Sequence, residues 1–357
     1  MLSNNILQSF SPIITKWYEN NKRELPWRET TDPYKIWLSE IILQQTRVNQ
    51  GLNYYLRFIE RFPDVKALAN ADEIEILKLW QGLGYYSRAR NIHAAARMIV
   101  EKHNGIFPTD HKDILLLKGI GDYTAAAITS FAYNEAYAVV DGNVFRVLAR
   151  IFGIDTPIDS VKGKKEFTLL ATDLLDKKQP SLHNQAIMEF GALQCVPMSP
   201  ACGQCVLNNF CVAYLTDSIT DFPKKEQKLK QRERFFNYLF IRENNYTYLN
   251  KRTGKDVWHN LYEFPLIETG KAVRWEELVQ MEQFKALFGN QQAVEITGNV
   301  YQVKHVLSHQ IIHTSFYQIS VGAASANLKG YERIEIGGLE DYPVSRLTEL
   351  FLQKNNI

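Results

Sequence analysis

The spacing of apolar residues divides this 357-residue chain into two parts. Up to about residue 220, apolar positions recur every three or four residues, as in amphipathic helices. After about residue 235, aromatic and β-branched residues are frequent and partly alternate with polar ones, which is typical of strands. The pattern therefore predicts a multidomain protein with an all-α N-terminal part and an α+β C-terminal part.

Capping residues indicate where the helices of the first part begin and end. Asp32-Pro33 is typical of an N-cap followed by proline at the first helical position, and Gly105 is typical of a helix end. The predicted helices cover 33–48, 71–81, 87–103, 113–117, a segment starting after Gly121, 163–176 and 181–194.

The second part is predicted to contain three β segments and one helix. The β segments cover 235–241, 246–252 and 300–321, and the amphipathic helix covers 275–289. Residues 221–235 are polar and rich in Lys and Arg, which favours a linker, with a solvated helix face as the alternative. We therefore expect domains at 1–220 and 236–357, joined by a linker at 221–235.

Composition narrows the function classes only a little. The chain has 41 basic and 39 acidic residues, a net charge of +2 that neither requires nor excludes a nucleic-acid partner. The N-terminal residues do not form a signal peptide, and no apolar run is long enough for a membrane span. We expect a monomeric, cytoplasmic protein that is not secreted and does not bind membranes, associated with the nucleoid if it is bacterial.

All four cysteines lie between positions 195 and 211. Cys195, Cys202, Cys205 and Cys211 have the spacing C-x6-C-x2-C-x5-C. A secreted disulfide framework would normally scatter its cysteines, so this cluster indicates metal ligation. Spacing alone leaves zinc and an iron–sulfur cluster open.

The stretch LKGIGDYTAAAITS, residues 117–130, predicts a tight turn between two helices. Gly119 and Gly121 permit positive φ angles and a close approach of the backbone to a ligand. The helix that follows would present free N–H groups and its positive dipole end, which suits a phosphate. An ordinary helix–turn–helix connection with glycine is the alternative.

Three segments together resemble a known family. The hairpin, the segment VVDGNVFRVLAR that follows it, and the cysteine cluster resemble those of the helix-hairpin-helix DNA glycosylases. DPYKIWLSEIILQQTRV resembles the catalytic segment of the adenine DNA glycosylase family. The resemblance covers nearly the full chain and implies excision of adenine mispaired with 8-oxoguanine, or less efficiently with guanine, from duplex DNA during base excision repair.

The resemblance implies roles for four catalytic residues. Glu40 matches the general acid, and Asp141 matches the carboxylate that faces the sugar of the extruded nucleotide. Tyr123 stands where endonuclease III-like relatives that also cleave the backbone carry a Schiff-base lysine, which implies a monofunctional enzyme. Asn143 would help to position or polarise the same centre.

The chemistry explains why two carboxylates are needed. Adenine leaves readily only when a ring nitrogen is protonated, and the sugar becomes oxocarbenium-like as the bond breaks. Ile36 and Leu43 flank Glu40 at one-turn spacing, an apolar setting that would raise its pKa and keep a proton near neutral pH. An ionised Asp141 would then stabilise the positive sugar or trap it covalently.

The same resemblance implies the remaining DNA contacts. Gln45, Leu83 and Tyr85 match wedge and lesion-reading positions, which fill the gap left by the extruded base. The adenine pocket would include Trp27, Arg28 and Gln185. The four cysteines would hold a [4Fe–4S] cluster that orders a DNA-facing loop.

The C-terminal third resembles the Nudix-like domain of adenine glycosylases. Leu307-Ser308-His309 matches a Phe-Ser-His loop that reads 8-oxoguanine, with Ser308 as the best hydrogen-bonding candidate. The segment WEELVQMEQF does not supply the glutamate-rich metal box of a Nudix hydrolase, so no diphosphate hydrolysis is expected. Two rival hypotheses remain: an endonuclease III-like glycosylase/lyase, opposed by Tyr123 and the extra domain, and a DNA-binding iron–sulfur module without turnover.

Overall fold

The computed structural model describes residues 4–226, 231–288, 294, 296–320 and 328–357. It divides into two compact units, one of 1–70 with 94–227 and one of 71–93 with 228–357. No described helix is long and apolar enough to cross a membrane. The segment 71–93, which the sequence placed in the N-terminal domain, thus groups with the C-terminal third, and the predicted domain boundaries stay a prediction.

The first unit is helical, as predicted. The α-helices of the N-terminal part are α1 (Asn4–Asn21), α2 (Pro33–Leu43), α3 (Val48–Arg61), α4 (Val65–Ala69), α5 (Glu73–Trp80), α6 (Ser87–His103), α7 (His111–Leu115), α8 (Asp122–Tyr133), α9 (Gly142–Phe152), α10 (Val161–Leu174), α11 (Pro180–Leu193) and α12 (Val212–Leu215). Helix α5 and the first residues of α6 belong to the second unit. The helix predicted over 87–103 has those bounds, and most others shift by one or two residues.

The prediction of one helix from 33 to 48 is wrong. Asp32 caps α2 by accepting a hydrogen bond from the Tyr34 amide, but the helix ends at Leu43. Gln45 has a φ of 57°, a left-handed conformation that no α-helix interior accepts. Helix α3 begins three residues later, so a sharp turn lies at the cavity described below.

The hairpin lies between α7 and α8, and its two glycines differ. Gly119 has a φ of 78°, which explains glycine there. Gly121 has a φ of −107°, so the expectation that both use a positive φ is wrong. Gly121 is the N-cap of α8, and a Cβ added to it would meet no atom within 4 Å. Its lack of a side chain leaves the start of α8 open.

Two helices of the first unit pack unusually closely. A Cβ on Gly191 of α11 would lie 2.6 Å from Cβ of Asn143 and 3.0 Å from its carbonyl oxygen, so glycine is required where α11 crosses α9. Both helices belong to a core built on Phe10, Phe167 and Phe190. This packing fixes the start of α9, which carries the predicted catalytic Asp141 and Asn143.

The second unit is α+β, as predicted. Its strands are β1 (Arg232–Arg242), β2 (Tyr246–Lys251), β3 (Tyr262–Glu263), β4 (Leu266–Thr269), β5 (Tyr301–Val306), β6 (Gln310–Ser320) and β7 (Glu332–Glu335). They form a four-stranded sheet in the order β4-β1-β6-β5 and a three-stranded sheet in the order β3-β2-β7. Strands β1 and β6 are parallel, with Arg232 opposite Gln310, and the other pairs are antiparallel.

The helix predicted over 275–289 is wrong as a single element. The structure has α13 (Trp275–Leu278) and α14 (Glu282–Phe288), and the later helix α15 (Arg346–Lys354) was not predicted. Strand β1 starts at Arg232, inside the segment expected to be linker. Positions 227–230 of that linker, 289 of the helix and 321 of the last β segment lie outside the described residues.

Several hydrogen bonds join segment 71–93 to the rest of the second unit. Tyr86 donates its hydroxyl to the carbonyl of Val344, and Arg90 donates to that of His259 at 2.8 Å. The side chain of Asn260 donates to Glu73 at 2.5 Å. These bonds hold the loop between α5 and α6 in this unit.

Candidate active site

One cavity of about 780 Å³ in the first unit collects most of the predicted site residues. Such a volume suits a ligand of small-molecule size. Its lining includes the predicted Trp27, Arg28, Glu40, Gln45, Tyr123, Asp141, Asn143 and Gln185. These residues come from 27 to 185 in the chain, so folding brings together positions that the sequence listed separately.

Glu40 lies on the buried face of α2, between apolar neighbours. Tyr123, at the start of α8, donates its hydroxyl to Oε2 of Glu40 at 2.6 Å. Burial raises the pKa of Glu40 to about 7, the charge of Asp141 adds to the rise, and the Tyr123 bond and Arg28 oppose it. Near neutral pH a large fraction of Glu40 therefore carries a proton, and Oε1 is the oxygen that Tyr123 does not occupy.

Asp141 is the N-cap of α9. Its Oδ1 accepts hydrogen bonds from the amides of Asn143 and Val144, and its Oδ2 accepts one from Nδ2 of Asn143 at 2.7 Å. Burial raises the pKa of Asp141, while these three bonds and the charge of Arg146 oppose the rise. All three donors favour the ionised form, as does the positive end of the helix dipole.

Asn143 is itself held in place by Arg146. Nη2 of Arg146 donates to Oδ1 of Asn143 at 2.9 Å and to the carbonyl of Gly191 at 2.7 Å. Its Nε donates to the carbonyl of Cys195 at 2.8 Å. The Asn143 amide therefore has its oxygen and one N–H occupied, which fixes its orientation toward Asp141.

Glu189 is a further cavity residue, with a fully buried side chain, that was not predicted from the sequence. Arg23 donates to both of its oxygens, through Nε at 2.8 Å and Nη2 at 2.6 Å, and Arg28 donates through Nη2 at 2.6 Å. Hydrogen bonds from the two arginines hold the pKa of Glu189 near 2 despite the opposing effect of burial. A lone acid in the apolar run NQAIMEFGAL was the available signal, because a buried charge needs partners.

The other predicted base-pocket residues line the same cavity as this ion pair. Trp27 is buried and packs edge-on against Tyr55 with ring centroids 5.2 Å apart. Gln185 accepts a hydrogen bond from the hydroxyl of Tyr18 at 2.8 Å. The cavity lining therefore includes a carboxyl group that can hold a proton, Glu40, and an ion-paired carboxylate, Glu189.

The predicted wedge residues differ from one another. Gln45 and Tyr85 are exposed and have φ angles of 57° and 49°, whereas Leu83 is buried. Left-handed conformations of residues other than glycine cost energy and cluster at functional sites. Gln45 and Tyr85 are thus exposed to solvent, as a wedge would require, but Leu83 is not.

Tyr85 and Ser308 meet in the second unit. Their hydroxyl oxygens are 3.0 Å apart and exposed. Ser308 and His309 form the exposed connection between β5 and β6, where the Leu307 amide donates to the Gln310 carbonyl. Two segments that the sequence assigned separately to lesion reading are therefore in contact.

The four cysteines carry free thiols and line one small cavity. Burial raises the pKa of Cys205 to about 11, and burial also raises the pKa of Cys202 and Cys211. Burial thus disfavours the thiolate forms of these three residues, and a bound metal would supply the charge that stabilises thiolates. Nη1 of Arg150 lies 3.5 Å from Sγ of Cys195, a cation suited to an anionic sulfur cluster.

The cysteine donors are therefore compatible with a sulfur-ligated metal centre. Within the described part of the chain, no three His, Cys, Asp or Glu side chains already have the spacing of metal ligands. The four thiols would therefore have to move to bind one.

Known protein families match both the N-terminal and the C-terminal part of the chain. Residues 38–171 match the HhH-GPD superfamily base excision DNA repair proteins, and residues 237–354 match the NUDIX domain. An adenine DNA glycosylase of Buchnera aphidicola subsp. Acyrthosiphon pisum (strain APS) is 33% identical over 85% of this chain and 84% of its own. One from Buchnera aphidicola subsp. Schizaphis graminum (strain Sg) is 37% identical over 74% and 77%.

A solved structure of a thermostable thymine-DNA glycosylase is also similar. It covers 60% of this chain and all of its own, with a TM-score of 0.57 and 29% identity. The hairpin, the paired carboxylates and the family match define the class as helix-hairpin-helix base excision DNA repair proteins with an added Nudix-like domain. Within that class, the chain belongs to the adenine DNA glycosylase family.

Proposed function

We propose that this protein removes adenine mispaired with 8-oxoguanine, or with guanine, from duplex DNA by hydrolysing the N-glycosidic bond. The observation that carries the proposal is the Glu40–Tyr123 pair, which lines one cavity with Asp141. A proton-bearing acid and an ionised carboxylate in one cavity are what removal of a purine base requires.

Each group has one task in the reaction. Glu40 donates its proton to a ring nitrogen of the extruded adenine, and the bond between C1′ and N9 breaks with its electron pair going to the base. Asp141 stabilises the positive charge left on the sugar. Water then adds at C1′ and loses a proton to the Glu40 carboxylate, which restores the acid and gives free adenine and an abasic site.

The cavity also supports a monofunctional reaction. Tyr123 occupies the place of the lyase lysine, and none of the described residues that line the cavity is a lysine. Lys118 precedes the hairpin and is exposed. Schiff-base formation with the sugar has no suitable amine here, so water is the final nucleophile.

The contact between Tyr85 and Ser308 supports recognition of 8-oxoguanine. Two exposed hydroxyl groups 3.0 Å apart offer both donors and acceptors to a modified base edge. Removal of residues after 225 should leave slow adenine release but reduce the preference for 8-oxoguanine over guanine. An unchanged preference in the truncated protein would show that Ser308 and the rest of the chain after residue 225 do not have this role.

The cysteines would hold a [4Fe–4S] cluster that orders their loop. The shared cavity and the Arg150 cation support this assignment. We expect iron and acid-labile sulfide in equal amounts, about four of each per chain. One zinc per chain without sulfide would overturn the assignment and leave the glycosylase proposal standing.

The deciding experiment uses labelled duplexes with A:8-oxoguanine, A:G and A:T pairs, followed by alkali to reveal abasic sites. Cleavage of the first two at the adenine, and little of the third, is expected. Borohydride trapping should give no efficient covalent adduct. A trapped adduct would indicate a lyase, and duplex binding without strand breaks after alkali would indicate a DNA-binding module.

A further inference from the structure

Tyr18 of α1 lies behind the base pocket, where no catalytic motif reaches. It is 3% exposed and lines a second cavity of about 450 Å³. Four residues line both cavities: Arg23, Leu25, Arg28 and Gln185. These residues form the wall between the two cavities, and Tyr18 contacts that wall from the second one.

Tyr18 contacts two of the wall residues directly. Its hydroxyl donates to Oε1 of Gln185 at 2.8 Å, and its ring lies beneath the Arg28 guanidinium, with Cζ 5.7 Å from the ring centroid. Gln185 also donates from Nε2 to Ser181, but at 3.3 Å. The Tyr18 bond is therefore the shorter of these two contacts of the Gln185 amide.

Because of the second cavity, the bond from Tyr18 restricts the rotamer of Gln185. A glutamine side chain has high rotamer entropy, and here it borders open space on both sides. Without the phenol, the Gln185 amide keeps only the longer of these two bonds, the one to Ser181, and its side chain can change rotamer. Arg28 has further restraints, because it also donates to Glu189 and to the carbonyl of Arg23.

We propose that Tyr18 is a positioning residue that fixes the orientation of the Gln185 amide in the wall of the cavity that would receive the extruded adenine. The inference rests on the proposed function, since it concerns the pocket for the released base. Tyr18 touches the wall and not the first cavity, so it acts through Gln185. A net hydrogen bond of about 1 kcal/mol corresponds to roughly a fivefold to tenfold change in rate.

The test compares Tyr18→Phe with the unsubstituted protein on the A:8-oxoguanine duplex. The single-turnover rate of adenine release at saturating enzyme should fall roughly tenfold. Affinity for the duplex, measured in the Glu40→Gln background, should change less than about twofold because phosphate contacts dominate it. Tyr133→Phe is the matched control, since it removes a phenol-to-carbonyl bond to Pro108 outside both cavities.

A double-substitution cycle separates positioning from a structural role. If Tyr18 acts through Gln185, Tyr18→Phe should slow release no further in a Gln185→Ala protein. Multiplied losses in the double variant, or a wild-type rate in Tyr18→Phe, would overturn the inference alone. Failure of the unsubstituted protein to release adenine would instead overturn the proposed function, and this inference with it.

Discussion

Two buried glutamates, Glu40 and Glu189, line the base cavity, and their charges differ. Burial raises the pKa of Glu40 to about 7, whereas paired arginines hold that of Glu189 near 2. Glu40 accepts a neutral hydroxyl bond from Tyr123, while Glu189 accepts charged bonds from Arg23 and Arg28. Burial raises the pKa of both carboxylates, and charged partners reverse that rise at Glu189 but not at Glu40.

The difference gives the two glutamates different roles in the proposed function. The neutral acid, Glu40, would supply a proton to the leaving base. The ion pair of Glu189 with Arg23 and Arg28 would shape the pocket and keep Arg28 in place. The comparison predicts that the same substitution, glutamate to glutamine, has different consequences at the two positions. Glu40→Gln should lose catalytic activity, and Glu189→Gln should lower the stability of the fold.

The largest effect is expected for Glu40→Gln. An amide cannot donate the required proton, so single-turnover adenine release should fall about 10³-fold or more. Tyr123 can still donate to the amide oxygen, and no buried charge is left unpaired, so the fold and the mismatch affinity should persist. Gel-shift affinity and thermal unfolding are the controls. Release at a near-normal rate would end the assignment of Glu40 as the acid.

Asp141→Asn tests the second carboxylate of the proposed reaction. Asparagine still caps a helix, so α9 should remain, but the negative charge beside the sugar is lost. We expect about a 10²-fold slower release from this loss of charge stabilisation. Asp64→Asn is the matched control, because Asp64 caps α4 through two amides away from the cavity. Equal losses in both variants would show that capping, not charge, is responsible.

The protonated state of Glu40 could be predicted from the sequence, but the ion pair of Glu189 could not. Ile36 and Leu43 are local neighbours of Glu40, so the apolar setting is visible in one helix. Glu189 also lies in an apolar run, yet its partners are some 160 residues away in the chain. Local patterns therefore treat the two glutamates alike, and tertiary contacts decide between them.

The same limit explains the errors in the fold. The break after Leu43 depends on a left-handed Gln45, which no propensity favours, and the split at 278–282 has no glycine or proline signal. Capping signals worked where they are local, as at Asp32, Ser87–His103 and Gly121. The contact of Tyr85 with Ser308 joins segments 223 residues apart and could be expected only through the family resemblance.

Glu189→Gln should destabilise the first unit. The substitution leaves Arg23 and Arg28 without their carboxylate, and the shift of its pKa from 4.5 to about 2 corresponds to about 3 kcal/mol. Because this pKa is lowered on folding, the contribution is present above pH 4.5 and is lost as the pH falls toward 2. Urea unfolding of both proteins should show a difference at pH 7 that shrinks below pH 4.5. A pH-independent difference would contradict the ion-pair account.

The smallest effect is a shift in the pH dependence of adenine release, and it concerns Glu40 alone. Release should slow about tenfold per pH unit above about 7, as Glu40 loses its proton. The Tyr123 bond stabilises the carboxylate, so Tyr123→Phe should keep the proton on Glu40 to higher pH. The midpoint of the alkaline limb should move up by about one unit, the value of one hydrogen bond to a charged group. Tyr133→Phe should leave it in place. A midpoint that stays or moves down in Tyr123→Phe would mean that another group controls the limb, because removing a donor to a carboxylate can only raise its pKa.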